Sequence, residues 1–160
     1  MPATVYLMCG KICSGKSTHA RALRRERRAV VLSVDEITLA LFGQDAGDML
    51  DEYVARTETY LFGNSLEILE SGIDVILDWG FWTREERGKA RAFYAARGVP
   101  VELHYISVSD GTWHARLAAR NADVLAGRTD AYYVDEGLAA KFRSIFEPPA
   151  EEEIDVIVSE

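Results

Sequence analysis

Residues 10–18 read GKICSGKST, and Gly10, Gly15, Lys16 and Ser17 stand at the spacing of a phosphate-binding loop, GxxxxGK[ST]. No other stretch constrains the fold as tightly. The apolar run TVYLM at 4–8 leads into the loop, and an Ala-, Leu- and Arg-rich stretch at 17–28 with helical character leaves it. Strand, glycine turn and helix in that order form a cradle. The glycines let backbone N–H groups turn inward, the helix presents its positive end, Lys16 reaches the β- and γ-phosphates, and the Ser17 hydroxyl takes a place on magnesium. Lys11, Cys13, Ser14 and Thr18 lie along the same cradle and complete the expected nucleotide contacts.

Four further apolar runs follow: VVLSV at 30–34, IDVIL at 73–77, VELHYIS at 101–107 and IDVIVS at 154–159. Runs so continuously apolar belong to a sheet covered on both faces, which usually means parallel strands joined by helices. The expected fold is a three-layer α/β P-loop NTPase fold with a five-stranded, mostly parallel sheet, helices on both faces, and one domain over residues 1–160. Leu50, Val54, Thr57, Leu61 and Ile68 recur at helical spacing and predict one long helix or a broken pair. Thr83 and Glu86 form a capping box that starts a helix running to about Arg97. Ser109 or Asp110 caps another, over 112–125, and a last helix at 138–146 is stopped by Pro148 and Pro149. Residues 126–137 have weak periodicity and read as a mobile stretch, so 112–137 is expected to form a short helical lid.

Composition narrows the function classes. Of the 160 residues 48% are apolar and 28% charged, which fits a globular domain and neither a disordered nor a membrane chain. No apolar run is long enough to span a bilayer, and no signal-like segment follows Met1, so a cytoplasmic protein, monomer or homodimer, is expected. The formal net charge of −8 repels polyanions and weighs toward a small substrate rather than nucleic acid. Two cysteines and three scattered histidines support neither a disulfide scaffold nor a metal cluster.

A phosphate loop serves switches, motors and kinases alike. No NKxD segment marks a GTPase, and Asp78 ends its strand without the second carboxylate of a Walker B pair. A kinase needs a base at the acceptor hydroxyl, a magnesium ion, and cations around the moving phosphoryl group. Asp35 closes the second strand at the crevice side of a parallel sheet, where it can orient a hydroxyl and take its proton. Asp78, at the end of the third strand, suits magnesium. Arg116 and Arg120 are i and i+4 on one helix face and can grip phosphate oxygens or cover the adenine ring. Arg128 lies in the weakly periodic stretch and could close over the site. Capping of a helix by Asp35 or Asp78, and plain solvated arginines, are the competing readings.

The segments MCGKICSGKST, SVDEI, VILDWGFWTREER, HARLAARN and FEPP, in that order, resemble the small P-loop kinases of the AAA-type predicted kinase group. That group is related to the kinase domain of bacteriophage polynucleotide kinase, to chloramphenicol phosphotransferase and to zeta toxins. The resemblance implies ATP with Mg2+ as phosphoryl donor, a hydroxyl as acceptor, Asp35 as general base, and Arg116 and Arg120 as cationic groups of the lid. Polynucleotide kinase carries an arginine three residues after its catalytic aspartate, where this chain has Thr38.

For the acceptor, Trp79, Phe81 and Trp82 at the mouth of the third strand, with Tyr132 and Tyr133, offer an apolar wall, or else pack the helix that begins at Thr83. Asp45, Asp48, Asp51 and Glu52 read first as a solvated helix start, and as partners of a cationic acceptor if they line the cleft. Cys9 and Cys13 read first as buried reduced cysteines with no role, and Cys13, inside the cradle, as a thiol whose modification would block the nucleotide. The rival readings are a nucleic-acid 5′-hydroxyl kinase and a nucleotide-dependent switch that passes the phosphoryl group slowly to water.

Overall fold

The computed structural model describes residues 2–159, and its order of elements follows from the alternation of apolar runs and amphipathic stretches. The elements are β1 (Val5–Cys9), α1 (Lys16–Glu26), β2 (Ala29–Leu32), α2 (Val34–Phe42), α3 (Leu50–Glu70), β3 (Asp74–Leu77), α4 (Arg84–Ala95), β4 (Val101–Ile106), α5 (Asp110–Leu125), α6 (Glu136–Ile145) and β5 (Val156–Val158). Single 3-10 turns occupy Gly47–Met49 and Glu151–Glu153. The five strands form one sheet in the order β2-β3-β1-β4-β5, and every pairing is parallel.

β1 lies at the centre and is buried along its whole length, which explains why it carries no polar side chain facing outward. Its side chains alternate between two cores. Val5, Leu7 and Cys9 face one layer, with Leu69 of α3 and Ala90 and Tyr94 of α4. Tyr6 and Met8 face the other, against Ala20 and Leu23 of α1. A third cluster, Ile12, Trp113, Leu117, Val134 and Ala139, packs α5 and α6 over the phosphate loop.

Local signals set the helix starts. Ser33 accepts from the Glu36 N–H and caps α2, so Asp35 lies inside the first turn and is freed from the capping role. Thr83 and Glu86 make the reciprocal capping box of α4, and Ser109 and Asp135 cap α5 and α6. The stretch at 50–70 is one unbroken helix. β5 is shorter than the apolar run suggests, because Glu151–Glu153 turn in a 3-10 helix first. Among the described residues no helix is long and apolar enough to cross a membrane.

Candidate active site

All five strands point their carboxyl ends toward the loop, so the segments that leave β1, β2 and β3 converge there. Gly15 adopts φ +105, open to glycine and strained for other residues, and it brings α1 into the loop with Lys16 as its first residue. Gly10 is held by close approach: its N–H donates to the Gly80 carbonyl at 3.2 Å. Its own carbonyl accepts from Trp82 Nε1 at 3.1 Å and from Lys16 Nζ at 3.0 Å. Trp82 therefore props the loop, with its ring against Phe142. The signal for this role was absent from the sequence, since the loop and Trp82 are 72 residues apart.

Lys16 Nζ also donates to the Lys11 carbonyl at 2.6 Å, so its ammonium rests on loop carbonyls. Burial depresses its pKa, while Asp78 and Asp35 pull it back up. Ser17 Oγ donates to Asp78 Oδ2 at 2.8 Å, which puts a hydroxyl and a carboxylate side by side next to the lysine. Asp35 borders the crevice with one side open to water, yet enough protein surrounds it that burial raises its pKa. Lys16 and Arg120 oppose that rise and Asp78 adds to it. The sequence-predicted lysine, serine and two aspartates thus meet in one place, delivered by α1, α2 and the end of β3.

The arginine pair arrives from above. Trp113, almost wholly buried, donates its Nε1–H to the Ile12 carbonyl at 2.6 Å and seats α5 on the loop. One turn on, Arg116 Nη1 donates to the Ser14 carbonyl at 2.6 Å, and Arg120 Nη1 lies 3.1 Å from Cys13 Sγ. Cys13 itself takes a left-handed backbone, φ 59, rare for a residue with a side chain. Arg120 Nε is buried without a hydrogen-bond partner among the described residues. Lys11 turns outward to Asp110, and Thr18 is exposed on α1. Arg128 pairs with Asp123 at 2.7 Å on the exposed surface and does not reach the loop.

Two features test whether a nucleotide fits. Ser14 Oγ is buried in the loop with no partner among the described residues, and a Cβ on Gly10 would lie 2.7 Å from it. The loop therefore holds a buried hydroxyl with unused hydrogen-bonding capacity, packed so closely on Gly10 that only glycine fits there. For magnesium, Ser17 and Asp78 supply oxygen donors of the kind a hard cation takes.

The aromatic residues divide. Phe81 is core, with φ 47 and its carbonyl accepting from Arg87 Nη1 and Cys9 Sγ. Trp79 stacks on Phe81 and meets Phe62 edge-on at 5.6 Å. Tyr132 reaches across to α2, and Tyr133 is exposed. Asp45, Asp48, Asp51 and Glu52 are exposed at and before the start of α3, as a solvated helix start predicts, apart from a turn bond from Asp45 and the Glu52–Arg56 pair. Burial pushes the Cys9 thiol up to about 11, which keeps it protonated. A separate groove of about 710 Å³ between α5 and α6 is lined by Leu117, Asn121 and Ala139 among others, and none of Lys16, Asp35 and Asp78 lines it.

The family model described as AAA domain matches residues 5–149. The chain belongs to the AAA domain family. This AAA domain also shares its fold with solved kinases. A sugar kinase from Janibacter sp. HTCC2649 superposes with a TM-score of 0.68 at 15% identity, over 99% of this chain and 86% of that one. The APS kinase of Mycobacterium tuberculosis, solved with AMPPNP and APS, gives 0.65 at 19%, over 99% and 88%. A chain of the Pnkp1/Rnl/Hen1 RNA repair complex gives 0.71 at 18%, over 89% of this AAA domain and 43% of its own length. At these identities the likeness is one of fold, the fold of small P-loop kinases. Comparison with curated protein sequences finds no match.

Proposed function

We propose that this AAA domain is an ATP-dependent phosphotransferase that moves the γ-phosphoryl group of ATP to a hydroxyl of a small molecule, acting as one catalytic domain. The observation that supports it is the meeting of Lys16, the Ser17–Asp78 pair and Asp35 from three separate elements. A switch or slow hydrolase needs the first three and has no use for the fourth.

The loop N–H groups, with Lys11, Cys13, Ser14, Gly15 and Thr18 along it, hold the donor phosphates, and Lys16 leaves its resting carbonyls to reach them. Ser17 and Asp78 would hold magnesium, which would supply charge neutralisation to the donor phosphates. Asp35 orients the acceptor hydroxyl and accepts its proton. Burial raises its proton affinity above that of a surface carboxylate, and the charges of Lys16 and Arg120 oppose that rise. Arg116 and Arg120 offset negative charge on the group in transit. The neighbours that act on a sugar and on APS support a compact acceptor, and the RNA repair neighbour supports the rival reading of a nucleic-acid 5′-hydroxyl kinase.

The test is transfer of label from ATP across a panel of alcohols, sugars, nucleosides and oligonucleotides. Lys16→Ala abolishes turnover. Asp35→Ala retains ATP binding and lowers transfer by at least 100-fold, within the usual range for loss of a general base. Near-normal transfer by Asp35→Ala removes its role.

A further inference from the structure

Five hydrogen bonds fasten the stretch between α5 and α6 across the crevice. Asn121 of α5 grips Val134 from both sides, its Nδ2 donating to the Val134 carbonyl at 2.6 Å and its Oδ1 accepting the Val134 N–H at 2.9 Å. Gln44, just past α2, repeats the arrangement from the other bank: Nε2 donates to the Ala131 carbonyl at 2.5 Å and Oε1 accepts the Tyr133 N–H at 3.1 Å. Between these clamps Tyr132 OH donates to Thr38 Oγ1 at 2.7 Å. Thr38 lies one turn along α2 from Asp35, donates to the Asp35 carbonyl at 3.3 Å, and is fully buried. The strap thus ties the helix that carries Arg116 and Arg120 to the helix that carries Asp35.

Its composition does not explain this closure by burial. Apart from Val134 the strap inserts no buried apolar side chain, Tyr133 is 44% exposed, and residues 126–130 are all exposed. An amide that pairs two backbone groups of a loop from 87 residues away fixes the height of that loop. A tyrosine bonded to a buried threonine fixes its lateral position. Through Thr38, the Tyr132 ring is thereby held one turn along α2 from Asp35.

We propose that Tyr132, held by Thr38 and Gln44, is a length gate on the acceptor: compact alcohols reach Asp35 under the strap, and chain-like acceptors such as a nucleic-acid 5′ end are excluded. This rests on the kinase reading and adds the class of acceptor to it. Tyr132 and Gln44 are positioning residues that touch the strap and α2, with no part in the chemical step.

Two measurements decide it. The first needs no acceptor: trypsin cleavage after the exposed Arg128 reports release of the strap. Gln44→Ala and Tyr132→Phe each raise that cleavage rate at least fivefold with unchanged melting temperature, and rates equal to wild type overturn the latch. The second is label transfer from ATP to glycerol, xylitol, thymidine, maltotriose and a 5′-hydroxyl hexanucleotide. Wild type favours the short members, and Tyr132→Ala raises transfer to maltotriose or the hexanucleotide at least tenfold relative to the short ones, through KM more than kcat. A wild type that serves the hexanucleotide as well as the short alcohols, or a Tyr132→Ala profile identical to wild type, overturns the gate. Should wild type fail to transfer to any of the five, the gate falls for these acceptors and the kinase reading is weakened for them, while the cleavage rates still decide the latch.

Discussion

At Gly10 a methyl group has nowhere to go. A Cβ there would lie 2.7 Å from Ser14 Oγ and 2.9 Å from the Ile106 carbonyl oxygen, and the second of these is backbone of a central strand that does not yield. Gly10→Ala is therefore expected to displace the loop, lowering ATP affinity at least tenfold by titration calorimetry while the sheet still melts cooperatively. Glu58 carries a different kind of strain. It has no hydrogen-bond partner among the described residues, and burial, followed by the nearby charge of Glu86, pushes its carboxyl up to about 7 from an ordinary 4.5. Between those values the folded state holds a proton that the unfolded state has lost, so stability falls as pH rises through that window and stays lowered above it. Glu58→Gln should raise the melting temperature at pH 8 by on the order of 2 °C and leave it unchanged near pH 4. A gain of equal size at both pH values would tie the effect to packing instead of charge.

Among the elements, α4 is fastened to the chain's last segment by one buried side chain. Arg87 is 1% exposed; its Nη1 donates to the carbonyls of Phe81 and Glu147, and its Nε pairs with Glu153 at 2.9 Å. Glu153 is in turn held below the usual carboxylate range by that bond. Arg87→Met removes the guanidinium from two carbonyls and a carboxylate, at a cost of about 3–5 kcal/mol for a broken buried pair, measurable by urea unfolding. A loss under about 1 kcal/mol would mean water replaces the guanidinium. This bond also shows where the sequence stops being readable. Asp35 reads in the sequence as closing the second strand, whereas β2 stops at Leu32 and Asp35 lies in the first turn of α2. Asp78 could be placed because a strand end is a local pattern, and Arg116 with Arg120 because four residues is one helical turn. The capping box at Thr83 was legible for the same reason. Arg87 and Gln44 gave no such signal, and Trp82 and Tyr132 stood out only as candidate wall residues, since the part each plays runs through a partner 60 or more residues away, at a distance that topology alone supplies. Phe81 and Trp82 look like candidates for an acceptor wall as sequence, and it is the path of the chain out of β3 that sends one into the core and the other under the loop.

At the scale of the whole molecule the sheet's parallel order separates two jobs. On the proposed reading β1, α1, α5 and the end of β3 build the donor half around Lys16, Ser17 and Asp78, while α2 and the strap build the half around Asp35. On that reading nucleotide binding would act on the first half alone, and its contribution to stability would follow mass action: at about 100 times the dissociation constant, roughly 2.7 kcal/mol. For a chain of this size that corresponds to a rise of about 5–10 °C in melting temperature. The rise should appear in wild type with ATP and magnesium, shrink strongly in Lys16→Ala, whose ammonium no longer moves from the Gly10 and Lys11 carbonyls to phosphate, and persist in Asp35→Ala. The two variants together discriminate more than either does. Asp35→Ala that loses the shift would place Asp35 in the donor half and remove the division of labour, whereas an unshifted wild type at millimolar ATP would remove the nucleotide from the account altogether.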